Sequence, residues 1–513
     1  MSVSFLVNRY SNTCFEEVKM FRKILRISLV LIGSLIIYSS KGFAVDDPFI
    51  GYGSGGYNGK LMIFSIPGLE SLKEISIGVD MHGVVSDGKD LFVVDKAQNI
   101  LFVIDLSKSS VKKDIKLLDG FGPSSIAVSK DGKNVYIAGE LSGKVAMVSI
   151  DSGKVVTVDL KPMPSSPNFI TITPDGKYCL VSDYSNNRVL RISTSPFKLD
   201  REIKIRSPHG IAVTSDGKYA LVSSKFSASL NIVDIKDFKV EKAIKTGAVP
   251  LNTVIDSKGA FAYQSQHGSS EIVKIDIAKK EIVGRFPVKY NPDNISISPD
   301  DKYLLSINKF STGIYDKIYS NISDKGGIVT PQNMEVIEIA SGKTIKQVAV
   351  SGDITDTIIL SRGSVKDASL KGGGQFIKQG GKPDVSPKEG VKVSYMPADD
   401  RPPGIFDADD GAIEIRLKAL SYIFAPNVVN VFKGDTVRFI ITNIDEKSLY
   451  IDKPDVVHGF TINGFGKQTG VLLPRGVSAV MEFKADRKGS FDFYCSNFCG
   501  PVHHEMRGRL IVE

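Results

Sequence analysis

The sequence has little of what marks several large classes of protein. Its 513 residues include four cysteines and six histidines. It has no run of Arg and Lys with interleaved aromatic residues, which argues against nucleic-acid binding. The formal net charge of +8 falls to about +4 without residues 1–44, because that stretch holds six Lys or Arg against two Glu. So small a charge gives no further reason to expect a nucleic-acid partner.

Long apolar runs are also scarce, and the one candidate lies near the N-terminus. From Met20 the chain reads "MFRKILRISLVLIGSLIIYSSKGFAV", in which basic residues precede an apolar stretch, and Gly42 and Ala44 follow it. This order is typical of a secretory signal peptide. An uncleaved membrane anchor is the alternative, but the run is short for a full span. We therefore expect residues 1–44 to hold an upstream extension and a signal peptide. The protein would be exported by the general secretory pathway, to the periplasm or otherwise out of the cell.

Export changes how the few cysteines are interpreted, since a close pair in an oxidising compartment is a disulfide candidate. Beyond residue 44 the chain keeps Cys179, Cys495 and Cys499. Cys179 lies in the strand-like "GKYCLVSD" and is predicted to be a buried packing residue. Cys495 and Cys499 lie close together near the C-terminus, where a disulfide and a metal site compete as interpretations.

A repeat fills the first two-thirds of the chain. Six units share an Asp-Gly-type turn followed by an alternating strand, as in "TPDGKYCLVSDY", a pattern typical of β-hairpins. The turn aspartates recur every 40 to 44 residues, at Asp87, Asp131, Asp175, Asp216, Asp256 and Asp300. Such a period indicates four-stranded propeller blades, and an open β-solenoid fits it less well. We predict a seven-bladed propeller over residues 45–368, closed by pairing the early "KLMIFSIPG" with the late "NMEVIEIASGK".

The composition changes after the repeat. Residues 369–411 are rich in Gly, Lys, Pro and Asp and are predicted to be a linker. From Ala412 the alternation resumes in segments such as "VRFIITNID", "HGFTING" and "GSFDFYC". About a hundred residues of such strands predict a small sandwich or barrel over residues 412–513. The chain is therefore predicted to be all-β.

The segment "YCSNFCGPVHHEM", residues 494–506, gathers metal-binding side chains at regular spacing. Cys495, Cys499, His503 and Met506 follow the pattern Cys-x3-Cys-x3-His-x2-Met, and His458 lies upstream in "DVVHGF". Two thiolates, two imidazoles and a thioether form a soft ligand set that favours copper over hard cations. A single-copper electron-transfer site needs one cysteine, whereas two cysteines on one loop can bridge two copper ions.

Two simpler interpretations compete with this one. A Cys495–Cys499 disulfide would account for the cysteines but leave the spacing of the other three residues to chance. A zinc site of two cysteines and two histidines would not need Met506. His504 is expected to be a solvent-facing neighbour of the ligand histidine.

With His458, the loop resembles the binuclear CuA loop of cytochrome oxidase subunit II and nitrous-oxide reductase. The resemblance implies that the two cysteines bridge two coppers, that the histidines are terminal ligands and that the methionine is a weak ligand. It also implies a backbone carbonyl ligand from Asn497, a position where those families usually carry Glu or Trp. The implied metal ligands are His458, Cys495, Asn497, Cys499, His503 and Met506.

The rest of the chain resembles nitrous-oxide reductase in segments such as "GSGGYNGKLMIFSIPGLESLKEI", "DMHGVVSDGKDLFVVDKAQN" and "SPHGIAVTSDGKYALVSSK". This resemblance implies a seven-bladed propeller followed by a cupredoxin-like β-sandwich. It also implies a second, sulfide-bridged four-copper cluster, CuZ, held in the propeller hub by seven histidines.

The histidine count departs from that pattern, since only His82, His209 and His267 remain outside the C-terminal module. His82 and His209 occupy ligand positions of the family, and His267 is expected to be a surface or loop residue. Asp80 and Lys309 match residues of the family's cluster pocket and are expected to form an ion pair. Other ligand positions hold no histidine: Gly83, the stretch "GFGPSSIAV", Asn252, Asn294 and Thr355. A CuZ-type cluster is therefore not expected, and the hub is predicted to be a vestigial pocket.

These observations leave competing functions. The favoured one is an exported CuA electron-transfer protein with no assigned catalytic residue. One alternative is a nitrous-oxide reductase with an altered copper cluster, which would make the chain an enzyme. Another is an electron-entry module like cytochrome oxidase subunit II. The expected partner is a small redox protein such as a cytochrome c or a cupredoxin. A homodimer is compatible with the resemblance, and membrane association would arise only through an uncleaved signal anchor.

Overall fold

A computed structural model describes residues 47–56, 59–309, 332–350, 354–364, 393–445, 458–466, 468–497 and 505–513. The predicted signal peptide, the predicted ligands Cys499 and His503, and their neighbour His504 lie outside these ranges. Pro48–Glu513 forms one compact unit. Its described elements are β-strands and one short 3-10 helix, and no described helix has the length and apolarity to span a membrane. The predicted all-β fold class is confirmed.

Seven four-stranded antiparallel sheets in the described part of the chain form the blades of the propeller. Six blades are built from consecutive strands, and one combines the first three strands with the last. The consecutive blades are β4–β7 (Met81–Ser86, Asp90–Asp95, Ile100–Asp105, Ser110–Lys116), β8–β11 (Pro123–Val128, Asn134–Gly139, Lys144–Ser149, Val155–Asp159), β12–β15 (Pro167–Ile172, Tyr178–Asp183, Arg188–Thr194, Phe197–Lys204), β16–β19 (Pro208–Val213, Tyr219–Ser224, Ser229–Asp234, Lys239–Lys245), β20–β23 (Pro250–Ile255, Phe261–Gln266, Glu271–Asp276, Glu281–Pro287) and β24–β27 (Asn291–Ile297, Tyr303–Lys309, Gln332–Glu338, Lys343–Val350).

The remaining blade closes the ring. It orders β28 (Ile354–Ser361), β1 (Phe49–Gly55), β2 (Lys60–Ile66) and β3 (Ser71–Ser76), and a 3-10 helix at Arg362–Ser364 follows. The predicted closure was wrong. "KLMIFSIPG" forms β2 and pairs with β1 and β3, whereas "NMEVIEIASGK" contributes to β26 within its own blade. Closure instead pairs Phe49 with Ser361.

The repeated aspartates form the turns that the sequence predicted. Asp175 is typical: the Thr173 hydroxyl donates to its Oδ1 atom at 2.6 Å, and the Lys177 amide donates to the same atom at 3.1 Å. Gly176 between them has a φ of 72°, a left-handed conformation that glycine adopts without penalty. The alternating strands that follow each turn bury apolar side chains between neighbouring blades. Cys179, which is fully buried in one of these clusters, confirms the predicted packing role.

The C-terminal domain is a sandwich of two sheets. Its strands are β29 (Val393–Pro397), β30 (Gly404–Asp407), β31 (Ile413–Leu420), β32 (Ile423–Ala425), β33 (Val428–Val431), β34 (Thr436–Asn443), β35 (His458–Ile462), β36 (Val471–Leu473), β37 (Val477–Lys484), β38 (Gly489–Tyr494) and β39 (Arg507–Val512). One sheet has the order β29-β37-β34-β31-β30, and the other has the order β33-β39-β38-β35-β36. Phe424, Phe439, Phe460 and Phe493 pack between them.

Two strands of this sandwich, β29 and β30, fall in the stretch 369–411 that the sequence assigns to a linker. They pair with β37 and β31 respectively. Both are short and largely exposed, so their composition carries little apolar alternation. These two strands form because they pair with longer strands, not because their own sequences have a strand pattern.

Candidate metal centre

The candidate ligands meet because three neighbouring strands of one sheet end or begin at the same edge. His458 opens β35, Cys495 follows the end of β38, and Met506 precedes β39. Since β38 lies between β35 and β39 in the sheet, residues far apart in sequence become neighbours. His458 and Met506 are fully buried, and Cys495 and Asn497 are nearly so.

The atoms that could bind a metal converge on the Cys495 sulfur. His458 Nδ1 lies 4.0 Å from Cys495 Sγ, and the Cys495 thiol donates to the Asn497 carbonyl oxygen at 2.9 Å. The Gly459 amide donates to the same sulfur at 3.4 Å. The Cys495 amide donates to the Met506 carbonyl at 2.9 Å, which holds Met506 beside the cysteine. Four of the six predicted ligand residues thus lie together, and the other two fall outside the described residues.

Asp445 orients the candidate histidine, a role that the sequence reasoning missed. His458 Nε2 donates to Asp445 Oδ2 at 2.7 Å, which directs Nδ1 towards Cys495. The amide and hydroxyl of Ser421 also donate to this carboxylate, at 2.7 and 2.6 Å. Carboxylates commonly hold the outer nitrogen of a metal-binding histidine in this way. Asp445 lies 13 residues before His458 and outside the cysteine loop, so the spacing within that loop gave no signal for it.

The charges of Asp445 and His458 balance each other. Burial would raise the pKa of Asp445, but the hydrogen bonds from His458 and Ser421 outweigh it and leave that pKa below its usual value. For His458, burial opposes protonation, but Asp445 and Cys495 together raise its pKa to about 9. In the metal-free protein the imidazole therefore holds a proton at a position that a metal ion would take.

Glycine at position 459 allows the cysteine loop to pack directly on β35. A Cβ atom placed there would lie 2.5 Å from Ser496 Oγ and 2.7 Å from the Asn497 backbone nitrogen. Both distances are far below van der Waals contact, so a larger residue would displace the loop. The close approach also brings the Gly459 amide within reach of the cysteine sulfur.

The loop also faces the propeller. The Tyr494 hydroxyl donates to Asp80 Oδ2 at 2.6 Å, and the Lys96 ammonium lies 4.8 Å from the centre of the Tyr494 ring. The Asn463 amide donates to the Lys96 carbonyl at 2.6 Å and exchanges hydrogen bonds with Asn99. These contacts are buried, and they place residues Cys495 and Ser496 on the wall of a cavity in the propeller hub.

The hub brings together some predicted residues and separates others. His82 and His209 line the cavity from β4 and β16, and His82 Nε2 lies 3.3 Å from Asp80 Oδ1. The expected Asp80–Lys309 ion pair was wrong, because Lys309 pairs with Asp293 at 3.2 Å while Asp80 binds Tyr494. The equivalent position on the other innermost strands holds a different residue type in each blade: Ser124, Asn168, Leu251, Asp293 or Thr355.

His267 lies in a turn, as the prediction of a surface or loop residue allows, but it is buried rather than at the surface. It follows β21 but is only 8% exposed, and its Nδ1 atom lies 4.0 Å from Asp293 Oδ1. Burial lowers the pKa of His267 to about 4 against the attraction of Asp293. The prediction rested on the absence of a matching ligand position in the family, which says nothing about burial. Within the described ranges no three His, Cys, Asp or Glu side chains are grouped closely enough to hold a metal ion.

The fold and the site define a class: a β-propeller joined to a cupredoxin-like domain, with histidine, cysteine and methionine side chains gathered at one sheet edge. Sequence profiles agree. The "Lactonase, 7-bladed beta-propeller" profile matches residues 78–250, and the "Cupredoxin-like domain" profile matches residues 396–512. Each covers less than half of the chain, and together they reproduce the two-domain division.

More specifically, the chain is similar to nitrous-oxide reductases. It is 26% identical to that of Cupriavidus necator over 292 residues, which are 53% of this chain and 40% of the relative. The enzyme of Stutzerimonas stutzeri is also 26% identical, over 288 residues and 41% of its length. Cytochrome c oxidase subunit 2 of Thermus thermophilus is 32% identical over 95 residues, which cover 18% of this chain and 62% of the relative. The match therefore spans about two-fifths of the reductases' length, and the predicted resemblance is confirmed.

Proposed function

We propose that this chain is an exported electron-transfer protein whose C-terminal domain holds a binuclear CuA centre. The observation that carries the proposal is the meeting of His458 Nδ1, Cys495 Sγ and the Asn497 carbonyl at one sheet edge, with Met506 beside them. The similarity to nitrous-oxide reductases and to cytochrome c oxidase subunit 2 supports a copper oxidoreductase class.

The described residues fit copper in chemistry and in burial. A thiol, an imidazole nitrogen and a thioether are soft or borderline ligands, and the protein surrounds them with apolar side chains. Bound copper would be held by the six residues named from the sequence: His458, Cys495, Asn497, Cys499, His503 and Met506. A thiolate-bridged copper pair, when bound, accepts and releases single electrons with little rearrangement.

The chain's own groups prepare the site for that role. Asp445 fixes the His458 ring so that its Nδ1 atom points to Cys495, and the Gly459 amide donates to the cysteine sulfur. A backbone donor to a thiolate stabilises its negative charge and so tunes its electron-donating strength. Burial excludes water, which would otherwise compete for the metal and reorganise during electron transfer.

The propeller is proposed to act as a scaffold rather than as a CuZ site. A four-copper cluster needs many imidazole ligands, and the hub positions equivalent to His82 and His209 carry serine, asparagine, leucine, aspartate or threonine. Hydroxyl and amide oxygens are hard, weak ligands for Cu(I). The second candidate is a reductase with an altered cluster, favoured by a hub cavity that reaches the cysteine loop. With reduced viologen as donor, we expect copper-loaded protein to form no dinitrogen from nitrous oxide. Sustained turnover would support the second candidate.

The partner and location follow from the same chemistry and remain part of the proposal. We propose a small redox protein, such as a cytochrome c or a cupredoxin, as the electron-exchange partner. Export by the general secretory pathway would place both proteins outside the cytoplasm.

Metal analysis and electron paramagnetic resonance of the full chain test the copper assignment. We expect two coppers per chain and a spectrum in which one unpaired electron is shared by two copper nuclei. Cys495→Ser should abolish this spectrum, because a serine hydroxyl is not ionised at neutral pH. His504→Ala is the matched control and should keep it. A four-line single-copper spectrum, bound zinc, or a Cys495–Cys499 disulfide that persists after copper loading would each overturn the proposal.

A further inference from the structure

Tyr494 is the last residue of β38 and immediately precedes Cys495, the first predicted ligand in the cysteine loop. Successive side chains of a strand point to opposite faces, and the Phe493 side chain lies in the core of the sandwich. Tyr494 therefore points away from that core, on the outer face of the sheet. On the same face Ser490 is exposed and Asp492 is half-buried, but Tyr494 is only 3% exposed. The outer face is thus covered at the end of the strand that leads into the candidate metal site.

The propeller covers Tyr494 and binds its hydroxyl group. This hydroxyl donates to Asp80 Oδ2 at 2.6 Å, within the range of about 2.5–2.7 Å that is typical of a hydroxyl donor and a carboxylate acceptor. Asp80 is fully buried directly before β4, and its backbone carbonyl accepts a hydrogen bond from the Lys96 amide at 2.8 Å. Because the propeller backbone fixes the acceptor, the hydrogen bond restricts where the end of β38 can lie.

A second contact, made by the neighbouring strand β35, prevents the sandwich from turning about this hydrogen bond. The turn after β5 brings Ala97 and Asn99 against the segment that follows β35. The Gly464 amide donates to the Ala97 carbonyl at 2.8 Å, and Asn463 and Asn99 exchange hydrogen bonds. A Cβ atom on Gly466 would lie 2.5 Å from Ala97 Cβ, so the two segments are in close contact. Two contacts on adjacent strands fix both the position and the orientation of these strand ends.

A displacement of Tyr494 would reach the candidate metal site directly. The Cys495 amide belongs to the peptide bond that follows Tyr494, and it donates to the Met506 carbonyl at 2.9 Å. The Cys495 sulfur lies 4.0 Å from His458 Nδ1 and 2.9 Å from the Asn497 carbonyl oxygen. Moving this peptide group would therefore change the distances among the candidate ligands.

We propose that Tyr494 is a positioning residue for the metal site, acting through Cys495. Its hydrogen bond to Asp80 holds the start of the cysteine loop, so the propeller contributes to the geometry around Cys495 as well as to the fold. The propeller is then part of the rigid frame that holds the ligands in place and limits rearrangement during electron transfer. The effect on copper rests on the proposed function, whereas the position of the loop in the metal-free chain does not.

Hydrogen exchange of the full-length, metal-free chain, measured by mass spectrometry, tests the position of the loop without copper. Tyr494→Phe keeps the ring and removes only the hydroxyl. We expect the Cys495 amide to exchange about tenfold faster in this variant, the effect on local opening of losing one hydrogen bond of ordinary strength. Asp80→Leu removes the acceptor instead of the donor. It should have the same effect and serves if Tyr494→Phe does not fold.

Tyr395→Phe is the matched control. The Tyr395 hydroxyl donates to the Leu472 carbonyl at 3.0 Å, so this substitution also removes one hydrogen bond from a partly buried tyrosine, but the bond lies within the C-terminal domain. Exchange of the Cys495 amide should stay at the wild-type rate in this variant.

Copper-loaded protein tests the consequence for the metal site. Tyr494→Phe should bind as much copper per chain as the wild type, but the copper hyperfine splitting in its electron paramagnetic resonance spectrum should differ. Tyr395→Phe should keep the wild-type spectrum. A residue that only stabilised the contact between the domains would lower the melting temperature and leave the splitting unchanged, and that result would overturn the positioning role.

The inference also fails if exchange of the Cys495 amide is the same in Tyr494→Phe and the wild type, or if Tyr395→Phe accelerates it equally. If exchange depends on Tyr494 but the wild type gives no CuA spectrum, the propeller still positions the loop and the copper proposal fails. If a CuA spectrum is obtained and is identical in Tyr494→Phe, the copper proposal stands and the positioning role is lost.

Discussion

Replacing Asp445 by asparagine tests the role of its carboxylate without changing the volume of the side chain, because aspartate and asparagine have nearly the same shape. The carboxylate accepts three hydrogen bonds, from His458 Nε2 and from the amide and hydroxyl of Ser421. Asparagine has one acceptor atom and one donor group. It cannot reproduce all three bonds in either orientation.

In the first orientation, the asparagine oxygen faces the Ser421 amide and its NH2 group faces His458. His458 Nε2 must then act as an acceptor, so the neutral ring keeps its proton on Nδ1, the atom 4.0 Å from Cys495 Sγ that a copper ion would need. In the second orientation, the bond to His458 is kept but the NH2 group meets the Ser421 N–H. A buried donor left unsatisfied costs about 1–3 kcal/mol.

Either orientation should therefore weaken copper binding by about 10- to 100-fold, the range typical of lost partners behind metal ligands. Competition with a chromophoric Cu(I) chelator measures this on the full chain. Asp492→Asn is the matched control: it removes the same charge from β38, where Asp492 pairs with Arg509 at 3.4 Å. Equal copper affinities for Asp445→Asn and the wild type would refute the argument that Asp445 orients the ligand.

Two further predictions concern packing and pH. Gly459→Ala should lower copper affinity and destabilise the fold by about 1–3 kcal/mol through overpacking. Gly363→Ala is the control and should change neither property, because nothing lies within 4 Å of its added Cβ atom. Equal melting temperatures and copper affinities for the two variants would contradict this prediction. Lys225→Met should raise the free energy of unfolding at pH 7 by up to ~3 kcal/mol, the equivalent of lowering a pKa from 10.5 to about 8. Between pH 8 and pH 10.5 Lys225 keeps its proton in the unfolded chain but loses it in the folded chain, so the stability of the wild type rises with pH in this range. The extra stability of Lys225→Met over the wild type should therefore shrink from pH 8 towards pH 10.5 in denaturant titrations. A gain that is constant over this range would rule out the buried charge as its cause.

The repeat was predictable because each blade encodes its own hairpin turn and alternating strands. Asp131, Asp175, Asp216 and Asp300 each stabilise a turn through contacts within a few residues, so local sequence is sufficient. Ring closure was not predictable in this way. Several strands have similar alternation, and an alternating pattern specifies which face is buried rather than which strand is the neighbour. The polar "ITDTIILS" that forms β28 resembles an innermost strand only when seen in the ring.

The candidate metal centre was also predictable in one part and not in another. Cysteine, histidine and methionine at fixed spacing on one loop indicate a soft metal site before any fold is known. Asp445 contacts His458 from a distant part of the chain, and Gly459 acts through the absence of a Cβ atom. No spacing rule identifies either residue. The ion pairs in the hub were mispredicted for a related reason. Lys309 forms an ion pair with Asp293, because the blade that supplies each partner depends on the complete ring.

Closure of the ring between β1 and β28 has a consequence for the time course of synthesis. The first three strands cannot complete their blade until the ribosome has produced residue 361, so the edge of β1 has no final partner while more than half of the chain is made. Joining ends this distant has a large loop-closure entropy, and unpaired strand edges promote aggregation in the interval. A chain exported while unfolded would postpone this step until after translocation. The propeller would then close, and the hub would acquire its shape, only in the compartment where the protein works.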